Sequence, residues 1–72
     1  MKELLKKMMD NNVIFAFKTI PEFDAVHVVF LYDQYNKPAI TRIIDKNTFE
    51  NASLLAEALN NMMDEYLESI EK

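Results

Sequence analysis

Hydrophobic and polar positions repeat with two different periods along the 72 residues of this chain. Residues 2–10, KELLKKMMD, set Leu4, Leu5, Met8 and Met9 at helical spacing against Lys2, Glu3, Lys6, Lys7 and Asp10. Glu3 and Lys7 add a favourable i,i+4 pair. Asn11-Asn12 follows as a stop, because asparagine tolerates the left-handed conformation that ends many helices. The pattern predicts a short amphipathic helix.

The period then shortens. Residues 13–20 (VIFAFKTI), 25–32 (AVHVVFLY) and 39–44 (AITRII) are rich in β-branched and aromatic side chains. Pro21-Glu22 and the run DQYNKP separate them, so three strands are expected. Neither connection is long enough for a helical crossover, which leaves an antiparallel meander. From Thr48 to Glu71 helical spacing returns, opened by a predicted capping box in which Asn47 and Glu50 satisfy each other's amides. The expected fold is α+β, in the order αβββα, a single domain over 1–72. An N-terminal and a long C-terminal helix pack on one face of the three-stranded meander.

Two sheet faces must then be told apart. The aromatic series Phe15, Phe17, Val26, Val28, Phe30 and Tyr32 is the natural inner set. Ile14, Ala16, Lys18, His27, Val29, Leu31, Ile40, Arg42 and Ile44 would make up the outer one. A register slip of one residue exchanges the sets. Either way the uncovered face is too apolar to lie fully in water, and a copy or a partner is expected on it.

Size and composition sharpen that expectation. A chain this short buries only about 60% of its unfolded surface, and small domains commonly need a disulfide, a metal or a second chain. With no cysteine and one histidine, the first two are excluded by composition as thiolate or imidazole chemistry. Half the residues are hydrophobic, which argues against disorder. No apolar run approaches the ~18–20 residues of a bilayer span, and the first dozen residues mix acids with lysines, unlike a signal peptide. The expected location is the cytoplasm, and the Asn/Lys/Ile bias suggests an A/T-rich genome. Glycine is absent where ~7% usage predicts about five, so left-handed positions must fall to Asn or Asp.

Charge is unevenly placed. From Asp45 onward there are seven carboxylates against Lys46 and Lys72, whereas residues 1–44 hold six bases and five acids. On a continuous helix, Ala52, Leu55, Ala56, Leu59, Met63, Tyr66 and Ile70 fall within about 100° of arc with Phe49 at its edge, a core stripe. Glu50, Glu57, Asp64 and Glu71 recur every seven residues, Glu68 joins them, and Leu54 lies alone on the far side. Such a row is an ordinary solvated face unless something gains from it. No lysine interrupts it, and acids stacked this way repel one another, which favours a strip that docks on basic groups of another protein.

Other chemistry is poorly supported. His27 has no cysteine or serine near it in sequence, alternates with Val26 and Val28, and reads as a packing residue. Both serines, Ser53 and Ser69, lie in the long helix, and without glycine there is no nucleophile elbow or phosphate loop. No catalytic residue, cofactor or metal ligand is assigned. The order αβββα is also that of the double-stranded-RNA-binding domain, but that family needs a basic cluster where this chain has 48-TFENASLLAE-57, with two acids and no base. Direct nucleic-acid contact is therefore not expected. Met8-Met9 and Met62-Met63 are read as fillers between the helices.

In length, in the acidic segment 50-ENASLLAEALNNMMDEYLESIEK-72 and in its Asn/Lys/Ile bias, the chain resembles the small antirepressor, or modulator-of-repression, proteins of temperate phages from low-GC Gram-positive hosts. That resemblance implies a transcription regulator in a genetic switch, which inactivates a helix-turn-helix repressor by occupying its DNA-reading surface. The likeness matches no motif, so no residue is carried over from it. The partner-binding set read from the helix pattern is Glu50, Leu54, Glu57, Asn61, Asp64 and Glu68. The rival expectation is a small structural or assembly protein that homodimerises through its sheet.

Overall fold

A computed structural model describes residues 2–20 and 26–71. The elements are α1 (Lys2–Asn11), β1 (Ile14–Thr19), β2 (Val26–Tyr32), β3 (Pro38–Asp45), α2 (Lys46–Glu50) and α3 (Ala52–Ile70). The sheet is antiparallel with strand order β1-β2-β3, an α+β fold of αβββα order. The expected turn at Pro21-Glu22 and strand start at Ala25 lie outside the described residues.

α1 ends as its asparagines predict. Asn12 takes φ 53°, its amide donates to the Met9 carbonyl at 3.3 Å, and the Val13 amide donates to the Met8 carbonyl at 3.0 Å. This is the Schellman arrangement, and buried Val13 packs with Met8 as its hydrophobic contact. The β2–β3 hairpin uses a second asparagine. Asp33 accepts the Tyr35 and Lys37 amides on its side chain, the Asn36 amide donates to the Asp33 carbonyl, and Asn36 takes φ 61°. A turn closed by one left-handed residue sets the strand register with no glycine.

One face of the sheet meets the helices. Leu4 of α1, Val13, Val29, Leu31, Ile44, and Leu59, Met62, Met63 and Tyr66 of α3 form a single buried cluster. Phe15 and Ile40 pack against its margin. The register pairs Phe15 with Leu31 and Phe17 with Val29, so these four share the covered side. His27 lies on that side too, opposite Thr19 and Ile44.

The expected inner set is therefore corrected. Val26, Val28, Phe30 and Tyr32 point away from the helices, and Val29, Leu31, Ile40 and Ile44 point toward them. Only Phe15 and Phe17 belong inside, and they belong with the other set. Long Met62, Met63 and Tyr66 side chains reach down from α3, so the sheet beneath needs compact aliphatic groups more than aromatic ones. Two further readings change. Met9 is exposed and fills no gap, although Met62 and Met63 do. Leu5 and Ile70, expected on apolar stripes, are also exposed, Leu5 at the rim of α1's buried arc and Ile70 as the last residue of α3.

The long helix is broken. Asn51 sits at φ −101°, ψ 112°, outside helical space, and separates α2 from α3. Its side-chain oxygen accepts the Ser53 and Leu54 amides, both at 3.1 Å. α2 is capped by Asp45, which accepts the Thr48 amide at 2.7 Å, so Asn47 lies inside the helix and forms no capping box with Glu50. The break has a steric reason. α2 follows β3 without a linker and drops Phe49 onto the sheet, stacked on His27 (centroids 4.1 Å apart) and edge-on to Phe17 (5.4 Å). A straight continuation could not make those contacts and also lay α3 across the sheet.

Candidate protein-binding face

α3 supplies the site. Leu54, Glu57, Asn61, Asp64 and Glu68 are all exposed, at alternating steps of three and four residues, which places them along one side of the helix. Over those fourteen steps the stripe runs roughly 21 Å. Leu54, 44% exposed at its start, is the apolar member. The opposite side of the same helix holds Leu59, Met62, Met63 and Tyr66 in the core, and that burial forces the polar side outward.

Glu50 does not belong to this stripe. It is the last residue of α2, and the turn at Asn51 takes it off the α3 axis. The expected row of acids on one continuous helix is thus shortened to Glu57, Asp64 and Glu68. Glu65, which the spacing did not select, is exposed beside them.

Two of these acids hold cations from the chain itself. The Lys7 ammonium of α1 lies 3.4 Å from Asp64, and Arg42 of β3 pairs with Glu65. The pairs fasten α3 to its neighbour on either flank. Both are largely exposed, and pairs of that kind contribute about 0.2–1 kcal/mol at most. They stitch the layers without neutralising the stripe. Among the described residues, Glu57 and Glu68 have no ion-pair partner, and α3 contains no cation.

The rest of the surface offers little alternative chemistry. Among the described residues there is no pocket, no cluster of potential metal ligands, and no helix long and apolar enough to cross a membrane. His27 is half-buried against Phe49, on the side of the sheet that faces α2. The Thr48 amide and hydroxyl donate to Asp45 and hold its carboxyl below the ordinary value of 3.8, a capping effect remote from the α3 stripe.

The chain matches no protein-family model, no curated protein and no solved structure. The face itself must carry the functional reading.

Sequence reasoning missed the break at Asn51 and the pairs made by Asp64 and Glu65. The break had a signal. Asx residues stand at 45, 47 and 51, and any of the three can cap a helix. The ion pairs had none, since Lys7 and Asp64 stand 57 positions apart.

Proposed function

We propose that this protein is a non-enzymatic, protein-binding regulator that sequesters a DNA-binding protein in the cytoplasm of a bacterial host. A helix-turn-helix repressor of a phage genetic switch is the partner that fits best. The carrying observation is the exposed stripe Leu54, Glu57, Asn61, Asp64 and Glu68 on a helix without a single basic residue.

Repressors hold DNA with lysine and arginine groups arranged to meet phosphates. A ridge of carboxylates at spacings of one and two helical turns presents the same sign of charge to those groups. Glu57 and Glu68, without an ion-pair partner among the described residues, can take cations at once, and Asp64 can exchange Lys7 for a partner's arginine at small cost because the existing pair is exposed. Asn61 sits between them as a hydrogen-bonding group, and Leu54 gives an apolar contact to be desolvated at one end of the charged ridge. Complementary charge of this kind raises the association rate and makes binding sensitive to salt.

The test is charge reversal at the two acids of the stripe that have no ion-pair partner among the described residues. The Glu57→Lys, Glu68→Lys double variant should lose capture of a helix-turn-helix repressor and fail to release it from operator DNA, with far-UV circular dichroism unchanged. Wild-type capture should weaken as ionic strength rises. A double variant that still displaces the repressor removes the acidic stripe from the account.

A further inference from the structure

The sheet has a second surface that this function leaves unused. Its side away from the helices carries Ile14, Ala16, Val28, Phe30, Tyr32 and Ile43, with Lys18 and Thr41 as the polar members of the strand interiors. Ile14 is 54% exposed and Ile43 69%. Phe30 and Tyr32 lean on each other with centroids 6.1 Å apart, and no described element crosses above them. We propose that this outer face is the interface of a homodimer, occupied by the same face of a second copy in a back-to-back, two-fold arrangement.

The relief of the face suits a copy of itself. Register sets Ala16, Phe30 and Thr41 in one row across the sheet. A large ring therefore stands on the central strand with a small side chain on either flank. A two-fold axis through this row sets Phe30 of each copy beside the other's, with Ala16 and Thr41 leaving room for the rings on either side, and the overlap covers all three strands. Every contact away from the axis is then made twice, as an isologous interface requires.

Charge also selects a copy. The chain carries a net −4, yet among the described strand residues on this face only Lys18 and Asp45 are charged, one of each sign, and Asp45, the last residue of β3, accepts from Thr48. A basic partner finds no row of acids here. A copy brings no row of acids against it either, because Glu57, Asp64, Glu65 and Glu68 lie on α3, on the other side of the sheet. Back to back, the two α3 stripes are separated by two sheets and two helix layers, roughly 30 Å, several Debye lengths at physiological salt. Association through α3 would instead press the two acidic stripes together.

Area is sufficient. Strands of six to eight residues at ~3.3 Å each, three abreast, give a footprint of roughly 20 by 14 Å. With side-chain relief that is on the order of 500 Å² per copy, or about 1,000 Å² in total, the lower bound for a specific interface. The chain exposes 5273 Å², whereas a folded monomer of 8.5 kDa typically exposes about 4,700 Å².

The experiment is sedimentation equilibrium of the whole chain over a wide concentration range. The expected mass is twice 8.5 kDa, unchanged by salt. Ile43→Lys, at a position too exposed to matter for the fold of one copy, should raise the dissociation constant at least tenfold, and Ala16→Arg should do the same by filling the room beside the rings. Both should keep the wild-type circular dichroism. A wild-type monomer at every concentration overturns the proposal, and so does a dimer indifferent to both substitutions. Glu57→Lys, Glu68→Lys should leave the mass unaltered, so the acidic stripe and the sheet interface stand or fall separately.

Discussion

The two sides of β2 are chemically alike and physically opposite. Val29 and Leu31 are fully buried, while Val28, Phe30 and Tyr32, one residue out of step, lie on an open face. By hydrophobicity alone the second set is the better core. What separates them is where α2 and α3 land, and that depends on two side-chain caps at Asp45 and Asn51. A sheet with two apolar sides has no intrinsic inside; the helices create one, and the other side becomes a surface for association.

Truncation on each side should break the symmetry most visibly. Leu31→Ala removes a side chain with no exposed surface and leaves a cavity under Met62 and Met63. It should cost about 2–5 kcal/mol in urea denaturation, enough to unfold much of so small a domain. Phe30→Ala, monitored at concentrations where the chain is monomeric, should cost far less and act chiefly on self-association. Equal losses for the two would mean that both faces are covered within one copy.

A smaller effect is expected where the helices are steered. Asn51→Ala leaves the Ser53 and Leu54 amides without their acceptor and should destabilise the fold by about 1 kcal/mol. It should also loosen Phe49 from His27 and Phe17, which NMR ring-current shifts on His27 would register. An unchanged stability would show that α2 and α3 are set by packing alone.

The smallest effect is a titration. Asp45 has a folded value below its ordinary value of 3.8, so its contribution is complete above that ordinary value. It is lost as pH falls through the lower folded value, when the cap carboxylate protonates. Asp45→Asn keeps an acceptor for the Thr48 amide and cannot titrate, so its stability should be flatter than wild type below about pH 4. Parallel curves for the two proteins would show that the cap charge plays no part in placing α2.

Much of this architecture was legible in the residues. Period 3.6 at both ends and β-branched runs between them gave αβββα, and short connections gave the meander, because these are local consequences of backbone geometry. The absence of glycine pointed to asparagine at left-handed positions, and Asn12 and Asn36 are the positive-φ residues among those described. The exposed side of α3 was legible for the same reason: five of its six expected residues share one stripe, since helical spacing is local. Glu50 was lost because a single Asx residue at 51 ended one helix and began another.

The sequence by itself determined the elements, their order and the acidic side of α3, because each depends on neighbours within a few positions. Only the tertiary structure decided which sheet face is core, that Phe15 and Phe17 join Leu31 and Val29, and that Lys7 and Arg42 reach Asp64 and Glu65. Those outcomes depend on contacts between residues far apart in the chain. Where two alternating sets are equally apolar, solvent transfer energies cannot choose between them; the shape of the side chains descending from α3 does.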